Sequence, residues 1–309
     1  MLGTADPHFV ATNQEMLITR NIYSSLLKYK PNSTELAGDL ATDWSVSPDG
    51  LTYTFHLRKD VDWQKGFGHF TANDVKESFD RLRDPATKSP FRGAISMLKD
   101  VQVVDDYTVK LVLSQPYAAF PQLLTDYRTG PIVNVKAVKQ FGKDFNWNPV
   151  GTGPYAFQSR VPRQEVVLEA NDKYYGGPPP VKKIVIKTVP DLNAEVVGVE
   201  NGQYDMMLSS GPNIDPAVAK RVKSEGLGVS VFGRDNPEVL LMNVTAKPWD
   251  NLKVRQAVAY GIDRQQIIAL TNPELAHPWF SPVPEGFPYV DKNLPHYDHD
   301  ANKAKALLS

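Results

Sequence analysis

Apolar and polar positions change period several times along the chain, and each change predicts a different element. Met16, Ile22, Tyr23 and Leu26 fall on one face at helical spacing, which predicts a helix over residues 14–27. In "WSVSPDGLTYTFHLRKD" the period drops to two. Trp44 and Val46 precede a Pro-Asp-Gly turn, and Leu51, Tyr53, Phe55 and Leu57 alternate with polar residues, the pattern of a half-buried hairpin. "FTANDVKESFDRLRDP" returns to helical spacing, with Val75, Phe79 and Leu82 on one face, Thr71 and Asp74 as a capping pair and Pro85 as the stop. "DVQVVDDYTVKLVL" predicts a second hairpin, pairing Val101 and Val103 with Val109, Leu111 and Leu113 across an Asp-Asp turn. With helices expected over 117–126 and 135–141, residues 44–148 read as a small α+β unit.

Beyond residue 150 the pattern predicts strands over 164–170, 182–189, 204–208 and 228–232, with helices over 191–201 and 215–226. Strands alternating with helices over short connections argue for parallel βαβ units. A strand at "EVLLMNV", helices over 250–261 and 263–270, and a Pro-rich stretch "HPWFSPVPEGFP" follow. The last residues, "HYDHDANKAKALLS", place Asp300 as N-cap of an amphipathic helix carrying Ala301, Ala304, Leu307 and Leu308. That helix meets no stop signal before Ser309.

Composition narrows the function more than it identifies it. A chain of 309 residues fits about two domains. Its 41% hydrophobic and 22% charged residues are those of a globular protein. A net charge of −1 provides no field for nucleic acid or an anionic membrane. Cysteine is absent, so thiol catalysis, disulfides and Cys-ligated zinc are excluded. "MLGTADPHF" has neither the basic stretch nor the apolar run of a leader, so the sequence suits a cytoplasmic protein or one whose leader has been removed.

Candidate chemistry is sparse. "VGTGPY" (150–155) is glycine-dense but runs into a strand-like Tyr155-Ala156-Phe157, so a tight turn explains it better than a phosphate loop. "HYDHD" (296–300) has the residue types of a metal site, but a solvated loop with an N-cap Asp accounts for them. No Ser sits in a Gly-x-Ser-x-Gly setting and no carboxylate pair stands apart from turns and caps, so no catalytic residue is assigned. Aromatics cluster at Trp63/Phe67/Phe70, Tyr174/Tyr175 and Trp279/Phe280, where core packing competes with a small-molecule cleft. Arg128 in "TDYRTGPIV" is a lone cation ahead of an apolar strand. It could pair with a ligand carboxylate or stay a solvated loop residue.

Seven stretches, in order, carry a resemblance: "ADPHF", "LAGDLATDWSVSPDGLTYTFHLRKDVDW", "FTANDVKESFDRL", "NPVGTGPYAF", "NDKYYGGPP", "LLMNVTAKPWDNLKVRQAVAYGIDRQQII" and "YDHDANKAKALL". Together they resemble the solute-binding proteins of ABC importers, in the branch that takes peptides and nickel. The resemblance implies an α/β, periplasmic-binding-protein-like fold of two lobes (type II). Residues 1–41 and 149–236 would form lobe I, 42–148 an inserted α+β subdomain, and 237–309 the start of an incomplete lobe II. It implies a truncated chain, with an apolar face bare where lobe II would complete itself.

Hinge closure around a peptide and delivery to an ABC permease are the implied mechanism. The location would be periplasmic or cell-surface, with no enzyme activity, no cofactor, no metal, no nucleic acid, and a monomer at full length. The same resemblance maps ligand contacts to Ala11, Thr12 and Asn13 and to Met242 and Asn243, and Arg128 joins them as the sequence's own candidate. Nickel chelates, opines or oligosaccharides are alternative cargoes on this fold. A hydrolase on the same scaffold and a non-binding interaction fragment are the alternatives of other classes.

Overall fold

A computed structural model describes residues 3–208, 216–230, 239–271, 277–281 and 293–309. The chain divides into two compact units, Met1–Leu192 and Asn193–Ser309. The first unit opens with helix α1 (Asn13–Ile22) and a two-stranded ribbon, β1 (Leu27–Tyr29) with β2 (Leu36–Gly38). A four-stranded antiparallel sheet follows, built from β3 (Ala41–Val46), β4 (Thr52–Leu57), β5 (Leu98–Asp105) and β6 (Thr108–Leu113) in the order β3-β4-β6-β5. Helix α2 (Ala72–Arg83) packs against β5 and β6, and α3 (Phe120–Leu123) and α4 (Val135–Phe141) come after them. A three-stranded sheet of β7 (Tyr155–Val161), β8 (Glu165–Ala170) and β9 (Lys183–Lys187) completes the unit.

The period-two alternation becomes the core directly. Tyr53 lies opposite Leu111 and Phe55 opposite Val109, so one face of the central hairpin pair is buried while Thr52, Thr54 and His56 face away. Val75, Phe79 and Leu82 of α2 cover that face, and all three are buried. Thr71 and Asp74 form the expected capping box, and the helix ends at Arg83, just before Asp84-Pro85. Val46, on the edge strand, remains about half exposed at 51%.

Four expectations are corrected. Helix α1 stops at Ile22 rather than running to residue 27, because the Ile22 carbonyl is claimed from outside the helix. Gly153 N–H donates to it at 2.8 Å and the Gln64 amide at 3.4 Å. A Cβ on Gly151 would stand 2.0 Å from that same oxygen, which is why "VGTGPY" carries glycine there. Gln64 is buried and also donates to the Gly153 and Tyr155 carbonyls, so this turn is a joint between the chain at 64 and the chain at 151–155. The 117–126 helix shrinks to four residues flanked by i→i+3 turns.

The parallel βαβ units expected from strands and helices alternating over 182–232 are also not found among the described residues: β9 pairs antiparallel with β8, as β8 does with β7, and no described strand follows β9. Finally, residues 204–208 form no strand. Tyr204 N–H donates to the Gly198 carbonyl at 2.9 Å and its ring lies where a Gly198 side chain would begin, folding the segment back on its helix.

The second unit contains α5 (Leu192–Glu200, its first residue belonging to the first unit), α6 (Pro216–Ser224), α7 (Leu252–Gly261), α8 (Arg264–Thr271) and α9 (Ala301–Leu308). Helices α7 and α9 pack together, with Asp300 N–H on the Tyr260 carbonyl at 2.8 Å and Lys303 over the Tyr260 ring at 4.2 Å. Described residues 228–230 and 239–244 are not strands; the remaining residues of "GVSVF" and "EVLLMNV", and most of the Pro-rich stretch, lie outside the described residues. The polar run at 296–300 has structural tasks here: His296 stacks on Phe280 at 4.6 Å and Asp300 caps α9. Among the described residues no helix is long and apolar enough to cross a membrane.

Candidate functional site

Residues 3–13 are extended chain and short turns held in place by charge. Asp6 is buried and its carboxylate meets the Arg81 guanidinium of α2 at 2.5 and 3.2 Å. Arg81 also reaches His8 Nδ1 at 2.7 Å. Ser89 Oγ donates to the His8 carbonyl at 2.7 Å. His8 is fully enclosed, and burial pushes its imidazole down to about 4; the Asp6 carboxylate opposes this and Arg81 reinforces it. A buried pair of this kind is costly to break, because either partner alone would be an uncompensated buried charge.

The segment surfaces at residues 11–13, where Ala11 and Asn13 are exposed and Thr12 half-buried. Thr12 is the N-cap of α1 and completes a capping box with Glu15. Buried Glu15 accepts from four backbone N–H groups, those of Gly3, Thr4, Ala11 and Thr12. Burial acts against its charge. The N–H donors of Ala11, Gly3 and Thr12 and the Thr12 hydroxyl outweigh that and hold the carboxyl below the usual range.

Arg128 comes to the same edge from a turn more than a hundred residues away. Asp126 Oδ1 accepts from the N–H groups of Arg128 and Thr129, and Gly130 closes the turn so tightly that a Cβ would lie 2.3 Å from the Leu124 carbonyl. The Arg128 guanidinium lies 4.3 Å from the Tyr127 ring centroid and 4.8 Å from that of Phe91, and its Nε donates to the Val10 carbonyl at 3.3 Å. Arg20 approaches the Tyr127 ring as well, at 5.8 Å. Among the described residues neither arginine pairs with a carboxylate. The result is an oriented, half-buried cation with aromatic walls, beside an exposed backbone edge. Such a group suits a planar anion, a carboxylate above all.

Arg128 is therefore brought against Val10, the residue before Ala11, Thr12 and Asn13 in the chain. Met242 and Asn243 belong to the second unit, where Met242 is half-buried and Asn243 exposed. Asn243 Oδ1 accepts from the N–H and hydroxyl of Thr245, so its side chain closes its own turn. Sequence reasoning missed Asp6, Glu15, Arg81, Phe91 and Tyr127. Thr12-x-x-Glu15 is a capping-box pattern that could have been read; the Asp6–Arg81 pairing has no local signal.

The fold is mixed α/β, and comparison with known proteins gives the family of the chain. Residues 35–309 match the bacterial extracellular solute-binding proteins, family 5. The chain belongs to that family. The glutathione-binding protein of Salmonella paratyphi A is 30% identical over 306 residues, covering 99% of this chain and 58% of that protein. Among solved structures, NikA of Brucella suis with Fe(III)-EDTA superposes with a TM-score of 0.85 at 27% identity, covering 99% of this chain and 61% of that one. The periplasmic binding protein DppA of Helicobacter pylori with the peptide STSA gives 0.82 at 28% identity, covering 99% and 63%. The chain thus spans less than two thirds of the length of each of these relatives.

Proposed function

We propose that this chain belongs to the extracytoplasmic binding component of an ABC importer and captures short peptides for a membrane permease. It acts by binding alone, with no chemical step, and works in the periplasm or at the cell surface as a monomer. Residues 1–41 and 149–236 serve as one lobe, 42–148 as a subdomain inserted in it, and 237–309 as the start of the other. The observation that carries this reading is the placement of Arg128, walled by Phe91 and Tyr127, beside the exposed edge at 11–13. Relatives that bind glutathione and a peptide support it. Ligand backbone would lie along residues 11–13 and along Met242 and Asn243, with a carboxylate on Arg128. Closure would follow from tighter binding to the closed state.

The test is a native mass-spectrometry screen of the chain against di- to pentapeptides, with sugars and metal chelates as competitors. Peptides should bind, and Arg128→Ala should weaken them at least about tenfold, the worth of one hydrogen bond to a charged group. A protein that takes only a sugar or a metal chelate would sink the peptide reading.

A further inference from the structure

The carboxylate of Glu15 is saturated. Oε1 accepts from Gly3 N–H at 2.6 Å and Thr4 N–H at 3.2 Å, and Oε2 accepts from Ala11 N–H at 2.9 Å and Thr12 N–H at 3.0 Å. The two oxygens of a carboxylate offer about four acceptor positions, so this one has little capacity left. It closes a loop from residue 3 to residue 12, whose interior Asp6 and His8 anchor on Arg81. The residue is 4% exposed, so solvent has little access to these bonds.

This fixes what the edge can offer a ligand. The N–H groups of Ala11 and Thr12 point inward to Glu15, and the Thr12 carbonyl accepts from Met16 N–H at 3.1 Å. Ala11 is exposed, and among the described residues no donor reaches its carbonyl. Arg128, which has donors and no acceptor, stands beside Val10. We infer that Glu15 is a positioning residue that takes up the N–H groups of Ala11 and Thr12 and so leaves the Ala11 carbonyl as the free backbone group of these two residues. A bound solute then meets an acceptor at Ala11, to which it presents an N–H group, and places its carboxylate on Arg128. The ligand half of this inference rests on the peptide reading above.

The experiment compares the chain with its Glu15→Gln variant in two measurements. Residue-resolved hydrogen exchange reads the amides of Ala11 and Thr12, with amides of β4 and β8 as controls. Calorimetry reads trialanine against trialanine methylated at every backbone nitrogen and against trialanine amide. We expect the Ala11 and Thr12 amides to exchange at least tenfold faster in the variant while the control strands are unchanged. The chain should prefer trialanine over both analogues by tenfold or more, and the variant should lose most of the preference over the methylated one.

Equal exchange at Ala11 and Thr12 in the two proteins overturns the role given to Glu15. Faster exchange with unchanged trialanine affinity and unchanged selectivity reduces Glu15 to a structural clasp and overturns positioning. A chain that ignores trialanine overturns the peptide reading and the ligand half with it, while the exchange rates still decide the Glu15 half. If Glu15→Gln does not fold, Glu15→Asp, which keeps the charge but is one methylene too short, reads the same quantities.

Discussion

The two units use similar residues to different ends. In Met1–Leu192 the large apolar side chains are inside: Phe55, Phe70, Phe120, Ile18, Leu26 and Leu82 are wholly buried and belong to one continuous core. Among the described residues of Asn193–Ser309 the buried apolar side chains are Val196, Ala219, Ala257 and Ala304, while Leu241 is 87% and Leu270 80% exposed. Helix α9 has a sound cap and the expected spacing, yet Leu308 stays exposed. An amphipathic pattern makes an element capable of burial; only a partner surface makes burial happen. The candidate site follows the same division. Residues 11–13 and Arg128 are fixed by the Glu15 carboxylate, a helix cap and a glycine-tight turn, whereas among the described residues Asn243 is held within its own turn, by Thr245 on its side chain and Ala246 N–H on its carbonyl.

Measurements on the two units can break or sharpen this contrast. Phe55→Ala should cost about 3–5 kcal/mol, because it leaves a cavity in a core that cannot fully collapse. Urea unfolding checks it, and a loss under about 1 kcal/mol would mean that the first unit is less tightly packed than described.

Acid should act next, through His8. Its imidazole titrates near 4 in the folded protein against 6.5 ordinarily, mainly through burial. Between these values the unfolded chain binds a proton that the folded one refuses. This contribution is therefore complete above pH 6.5 and is lost as the pH falls toward 4, by about 3 kcal/mol in all. Urea midpoints across that window, compared with His8→Gln, isolate the slope; identical slopes would remove His8 from the account. Glu15, held below its ordinary value of 4.5, loses stability in the same direction at lower pH.

A smaller effect is expected at the start of α2. Thr71→Ala removes half of the capping box and should cost about 1 kcal/mol by thermal unfolding. The smallest belongs to the second unit: Leu241→Ala should stay within about 0.5 kcal/mol, as exposed positions do. A cost above 1.5 kcal/mol there would erase the contrast, since Leu241 would then have a partner surface in solution.

Legibility in the sequence followed the range of the interactions. The two hairpins of the four-stranded sheet, helix α2 with its capping box, and α4 were readable because turn, cap and period all lie within a dozen residues. The family was readable from seven ordered stretches, and the match over residues 35–309 bears it out. Helix α1 was read too long because its terminator sits at Gly153, and parallel βαβ units were expected beyond residue 182 because strand pairing depends on spatial neighbours that alternation along the chain does not name. Of the site, residues 11–13 and Arg128 were named in advance, but nothing local linked them. Glu15 and Arg81 went unread because a charged residue in a helix pattern looks like a solvated face until its partner is known.

The sequence by itself determined the class of this protein: its periods set the elements, its lack of cysteine closed off thiol chemistry, and its ordered motifs placed it among solute-binding proteins. Only the tertiary structure decided which polar groups are spent and which are free. It gave the Ala11 and Thr12 N–H groups to Glu15, the Asp6 carboxylate to Arg81, and left the Arg128 guanidinium without a carboxylate among the described residues. The reason is physical. Covalent order sets what each residue can donate, accept or bury, but a hydrogen bond or an ion pair exists only where folding brings the second group within about 3 Å.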